Sequence, residues 1–257
     1  TQMNFTRIAS INIVKCGTST VQEMLNKQKH PQFDRSFFIN DGNQPCDHMV
    51  LSADCAFSFV RDPLHRLISA YFTINLMMKR EDAFQSVKQK WIFWKVSSEP
   101  ERFRTFIHEM MGRTNEFMAL QPLQHIVTMS GAMSSWLGTD IPFIGRVEQF
   151  SDHWQLLLKT DHCRDLAELR DTPLSHAMSM KYTMENMGDW STSLGIEKFD
   201  PKKDSKFSLP QYMEISRDQQ LFNDIVEHYW QDYICFGYGT NYPELGLKYT
   251  GRFVKPY

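Results

Sequence analysis

Short β-branched runs alternate with longer stretches of helical spacing along this chain. Ile8, Ile11, Ile13 and Val14, between Arg7 and Val14, predict a buried strand. It ends at Lys15-Cys16-Gly17-Thr18-Ser19-Thr20, after which Val21, Met24 and Leu25 recur at helical spacing. Ala56 to Val60 repeats the logic. There Asp62 is placed to cap a helix and Pro63 suits its first position. Leu64, Leu67, Ile68, Tyr71 and Phe72 lay an apolar stripe along that helix, leaving His65, Arg66, Ser69 and Thr73 on the polar face.

Further on, Glu81 to Ser130 is helical in pattern and broken by Pro100, Gly112 and Pro122. Ile141 to Val147 predicts a third strand, and a helix is expected from about Ser151 to Lys159. Asp171 to Pro210 is polar and irregular, and the last helix is predicted from Arg217 to Tyr233, ahead of Gly237 and Gly239. No internal repeat or low-complexity segment interrupts the order. Strands alternating with helices predict an α/β fold with a central parallel sheet flanked by helices, and such sheets bind ligands beyond the carboxyl ends of their strands.

The chain has 257 residues with 42% apolar and 23% charged residues, and one domain spanning 1–257 is expected. A net charge of −2 argues against a general nucleic-acid binder, so an anionic ligand must be held locally. No run approaches the roughly 18 apolar residues that a membrane span needs. The chain starts at Thr1, which is compatible with removal of an upstream leader or anchor. The five cysteines, Cys16, Cys46, Cys55, Cys163 and Cys235, lack metal-ligand spacing. Most are expected to be buried small hydrophobes, with room for one disulfide. One Asn4-Phe5-Thr6 triplet is a weak sign of a secretory route.

The turn from Lys15 to Thr20 carries the sharpest local chemistry. A strand running through a short turn into a helix aims backbone N–H groups and the positive end of the helix at one point, which suits a phosphate or sulfate. Gly17 permits close approach, Thr18, Ser19 and Thr20 add hydroxyls, and Lys15 adds a charge. The plainer reading is a tight turn followed by helix-capping residues. The triphosphate signature G-x-x-x-x-G-K-[ST] is absent, which disfavours a kinase.

Phe59-Val60-Arg61-Asp62-Pro63-Leu64-His65-Arg66-Leu67-Ile68-Ser69-Ala70-Tyr71 shifts the balance. With it the chain resembles the sulfotransferase superfamily, most closely the carbohydrate sulfotransferases of the Golgi type, including the heparan sulfate 2-O group, that use 3′-phosphoadenosine 5′-phosphosulfate (PAPS). The resemblance implies a three-layer, P-loop-like fold. It implies that Lys15, Cys16, Gly17, Thr18, Ser19 and Thr20 grip the 5′-phosphosulfate, while Arg61 and Ser69, eight positions apart, grip the 3′-phosphate. Phe143-Ile144-Gly145-Arg146-Val147-Glu148-Gln149-Phe150 and Tyr229-Trp230-Gln231-Asp232-Tyr233-Ile234-Cys235-Phe236-Gly237-Tyr238 look like further family segments. Val14 stands where the commoner P-K-x-G loop has proline.

Sulfuryl transfer requires an in-line hydroxyl attack, a base for its proton and stabilisation of the departing phosphate oxygen. No metal is required of the protein. Lys15 is assigned to the leaving oxygen. His48 is the first candidate base, by likeness to the 2-O group, with Glu148 and His125 as alternatives. The plainer reading makes His48 a strand-edge residue and Glu148 a buried partner of Arg146 or of a helix start. Lys206, in Lys202-Lys203-Asp204-Ser205-Lys206, and Arg252 are candidate contacts to the nucleotide. Trp91 and Trp94 are candidate sugar platforms or core residues, and His108 and His153 are expected to be partly exposed helix residues. The resemblance implies a carbohydrate acceptor and a Golgi-lumen location. The alternatives are a small hydroxylated acceptor, a non-catalytic nucleotide- or glycan-binding module, and a cytoplasmic protein.

Overall fold

The elements in chain order are β1 (Thr6–Ile11), β2 (Phe33–Ile39), β3 (Cys55–Val60), α1 (Pro63–Lys79), a 3-10 turn at Phe93–Lys95, α2 (Glu99–Gly112), α3 (Met129–Ser134), β4 (Phe143–Arg146), a 3-10 turn at Val147–Gln149, α4 (Phe150–Leu157), α5 (Gln219–His228), α6 (Trp230–Cys235), β5 (Asn241–Tyr242), a 3-10 turn at Pro243–Leu245 and β6 (Leu247–Lys248). The computed structural model describes residues 6–11, 13, 16, 21, 33–39, 54–79, 91–97, 99–112, 126–134, 141–163 and 218–251. The chain divides into two compact units, each built from two stretches: Thr1–Arg61 with Gly131–Met184, and Asp62–Ser130 with Glu185–Tyr257.

The first unit holds a four-stranded sheet in the order β2-β1-β3-β4, and every pairing is parallel. This is the α/β arrangement that the alternating pattern predicts. All six residues of β3 are buried, so side chains pointing to either face of the sheet are shielded from water, as in parallel sheets generally. Phe57, Phe59, Trp154, Leu157 and Leu158 form the core of this unit, and Phe143, Val147 and Phe150 pack against it. The Phe59 ring lies 4.6 Å from Phe150, centroid to centroid, and Phe57 meets Trp154 edge-on at 5.9 Å. Gly145 in β4 follows from that packing. A Cβ there would come within 2.4 Å of the Phe59 ring, closer than any side chain tolerates.

Cys55, at the start of β3, is bridged to Cys163, with Cα atoms 4.8 Å apart. Cys16 is also buried, as expected of a small hydrophobe. Cys235 departs from that expectation and is exposed, because it falls on the solvent side of α6.

In the second unit, α1 buries Leu64, Leu67, Ile68, Tyr71 and Ile74 against Phe103, Phe106, Ile107 and Met110 of α2 and Leu221, Phe222, Ile225 and Val226 of α5. Trp91, Phe93 and the hairpin residues Tyr242 and Leu247 complete this core. The burial of Trp91 settles it as a core residue and not a sugar platform. Trp94 is half-buried, with Lys95 Nζ 5.6 Å from its ring centre.

The predicted last helix is two helices. Tyr229 leaves the helical backbone at φ −100°, ψ 17°, yet apolar positions continue at the same spacing across the break, so the sequence pattern conceals it. The stop is as predicted: Gly237 takes φ 64°, Tyr238 N–H bonds Tyr233 O and Gly237 N–H bonds Ile234 O, a Schellman closure. Among the described residues no helix is long and apolar enough to cross a membrane.

Candidate functional site

β1 and β3 are neighbours in the sheet, registered from Ile8 opposite Cys55 to Ile11 opposite Ser58. Because they run parallel, the chain leaves both strands at the same edge, the carboxyl edge, roughly one strand spacing (~5 Å) apart. Beyond β1, Cys16 N–H donates to Ile13 O at 3.0 Å, closing a turn, and Val21 is buried and helical. Beyond β3 comes Arg61, half-buried at the strand end. The two strands that the sequence reading places ahead of its candidate anion-binding turns are therefore adjacent and end on one edge, where parallel sheets take their ligands.

Cys16 lies on the first of these turns, but its side chain is buried and its amide is engaged by Ile13. Lys15, Gly17, Thr18, Ser19, Thr20, His48, His125, Lys206 and Arg252 lie outside the described residues.

The second turn is built as expected at its start. Asp62 Oδ1 accepts from His65 N–H at 2.9 Å, and Arg66 N–H bonds Asp62 O at 2.8 Å, so Asp62 caps α1 and Pro63 occupies its first position. Ser69, half-buried, stands two turns into that helix. Arg61 closes the first unit and Ser69 belongs to the second.

Arg66 overturns its assignment to a solvated face. It is 1% exposed, and its Nη1 donates to Val127 O at 2.6 Å. A buried guanidinium needs such partners, and helical spacing could not reveal one 61 residues away. Asp232 is wholly buried, taking the N–H groups of Met129 at 2.8 Å and Ser130 at 2.7 Å on its two oxygens. Burial pushes its carboxyl up, while those bonds and the Arg66 charge pull it down. Tyr229 donates to Ile126 O at 2.5 Å. Arg66, Tyr229 and Asp232 thus hold four backbone groups between Ile126 and Ser130.

A second polar chain ends on Asp62. Tyr242 donates to Asp62 Oδ2 at 2.7 Å, and the Tyr233 and Tyr242 hydroxyls lie 3.1 Å apart. Burial, with the nearby Asp62 charge adding to it, pushes both phenols far above their usual range, so both keep their protons. In the sequence Arg66, Tyr229, Asp232 and Tyr233 stand only as members of the family-like segments, with Arg66 on the polar face of its helix, and Tyr242 carries no signal of a role.

Beyond the carboxyl end of β4, Glu148 lies exposed in the turn Val147–Gln149. The burial expected of Glu148 fails, while its place in the first turn of the 3-10 segment is that of a residue at a helix start. Arg146 N–H donates to His153 Nδ1 at 2.7 Å, so His153 ties α4 to the end of β4 with its proton on the other nitrogen. His108 is exposed and His153 partly so, as expected.

No curated protein and no solved structure matches this chain. A family model described as Sulfotransferase family matches residues 4–239, which takes in most of both units and stops before the β5-β6 hairpin. The chain belongs to the sulfotransferase family, transferases that move a sulfuryl group.

Proposed function

We propose that this transferase takes its sulfuryl group from PAPS and delivers it to a carbohydrate hydroxyl. The observation that carries the reading is that the strands ahead of the Lys15 turn and Arg61 are adjacent, parallel and end on one sheet edge. Arg61 offers a planar fork of donors to a phosphate, and Ser69 follows at the spacing seen in the carbohydrate sulfotransferases that the sequence resembles. The all-parallel strand order supports a P-loop-like, three-layer build, and a family match running through both units supports treating 1–257 as one domain.

PAPS, when bound, supplies a sulfuryl group on a good leaving phosphate. The chain's own residues do the rest. Arg61 and Ser69 hold the 3′-phosphate, with Lys206 as a further contact. Thr18, Ser19 and Thr20 orient the sulfonate oxygens, and Lys15 neutralises the oxygen on which charge grows as the sulfur–oxygen bond breaks. The acceptor hydroxyl forms the new bond to sulfur and gives its proton to His48, with Glu148 or His125 as the alternative base. Positioning and electrostatics suffice for such a transfer. The buried Cys55–Cys163 bridge supports an oxidising compartment such as the Golgi lumen, since cytosolic thiols are kept reduced.

Arg61→Ala tests the reading. Affinity for the product nucleotide PAP, measured by calorimetry, is expected to fall by about 2 kcal/mol, the scale of a charge-assisted contact. An unchanged dissociation constant would remove the reading's main support.

A further inference from the structure

The contact between Tyr233 and Tyr242 has a direction that the chemistry fixes. Each phenol carries one proton. The Tyr242 proton is committed to Asp62 Oδ2 at 2.7 Å, so the 3.1 Å contact between the hydroxyls must be made by the Tyr233 proton pointing at the Tyr242 oxygen. The order is Tyr233 O–H to Tyr242 O–H to Asp62, and each bond polarises the next. Asp62 has its other oxygen on His65 N–H at the start of α1, so its carboxylate is gripped from both sides. It is only 8% exposed, which leaves little water to replace a lost partner. The tie is long in sequence, 180 residues from Asp62 to Tyr242, and joins the β5-β6 hairpin to the first turn of α1. Phe222 packs edge-on to the Tyr242 ring at 5.7 Å and His65 lies 6.2 Å from it, which fixes where the hydroxyl points.

We propose that Tyr242 is a positioning residue for the sulfuryl donor: by fixing the Asp62 carboxylate it sets the start of α1, and with it Arg61 one peptide bond before and Ser69 two turns after. The inference rests on the proposed grip of Arg61 and Ser69 on the donor's 3′-phosphate. Neither tyrosine touches the donor in this scheme. They act through Asp62.

A double-mutant cycle on the full chain, read as PAP affinity by calorimetry, tests it. Tyr242→Phe is expected to weaken PAP binding about tenfold, the value of one hydrogen bond to a charged group, and Tyr233→Phe less, in the same direction. In the Arg61→Ala background, Tyr242→Phe should cost clearly less than in the wild type, because of the two contacts it positions only that of Ser69 remains. A wild-type dissociation constant for Tyr242→Phe, or losses that simply multiply in the double variant, would reduce the tyrosine chain to a structural role. Should Tyr242→Phe fail to fold, Tyr233→Phe carries the same cycle, because its ring and the Asp62 bond both remain. Loss of binding in Arg61→Ala without loss in either tyrosine variant overturns this inference alone. Intact binding in Arg61→Ala overturns the functional reading, and this inference falls with it.

Discussion

The two units use opposite means to hold a backbone still. In the sheet unit the described core is almost entirely apolar: aromatic rings of β3, β4 and α4 pack on one another, and a disulfide ties the start of β3 to Cys163 beyond α4. In the helical unit, carboxylates start the helices. Asp62 caps α1, Asp218 takes the N–H groups of Gln220 and Leu221 at α5, Asp232 takes those of Met129 and Ser130 at α3, and Glu109 takes those of Ile92 and Phe93 at the turn Phe93–Lys95. A capped helix start has its orphan donors satisfied and its dipole opposed by negative charge. Close packing tolerates no added volume, whereas a polar clamp tolerates no lost partner. Each unit should therefore fail in its own way.

The bridge is the largest single contribution to compare. Cys55→Ser is expected to lower the unfolding free energy by about 4 kcal/mol, the scale for closing a loop of roughly a hundred residues. Guanidinium titration would read this, and a loss below about 1 kcal/mol would show that the aromatic packing holds the sheet unaided. Next comes the polar clamp. Asp232→Ala strands two backbone donors in a dry site and should cost about 3 kcal/mol, with Asp232→Asn recovering part of it because one acceptor oxygen remains. Equal losses in the two variants would mean that the charge, not the hydrogen bonds, holds Ile126 to Ser130. The smallest effect expected is Gly145→Ala, about 2 kcal/mol, since the new methyl must displace the Phe59 ring. A neutral result in thermal unfolding would show the sheet unit's core to be looser than its ring distances imply.

Legibility in the sequence followed locality. β3, β4 and α4 were visible as apolar runs or stripes, and β1 by its β-branched residues, although β1 ends at Ile11 and Ile13 falls in the turn that follows, short of the predicted Val14. The Asp62-Pro63 start of α1 was visible because capping is a matter of three consecutive residues. β2 was not, because Asp34-Arg35-Ser36 splits its apolar residues, and β5 and β6 are two residues each, below the reach of any period. Arg66 was misplaced because its partner, Val127 O, lies on a remote stretch of backbone. The Cys55–Cys163 bridge spans 108 positions and the Tyr242–Asp62 bond 180, and no spacing rule links residues so far apart. Of the candidate site, the order of the two turns was readable. That the strands ahead of them are adjacent and end on one edge required the pairing of β1 with β3.

The bridge between Cys55 and Cys163 has a topological consequence. All of residues 56–162 lie within one covalent ring, including the whole stretch from Asp62 to Ser130 that supplies α1 and α2 to the helical unit. A single proteolytic cut anywhere in that ring opens it without releasing a fragment. The nicked chain runs as one species on a non-reducing gel and as two once the bridge is reduced.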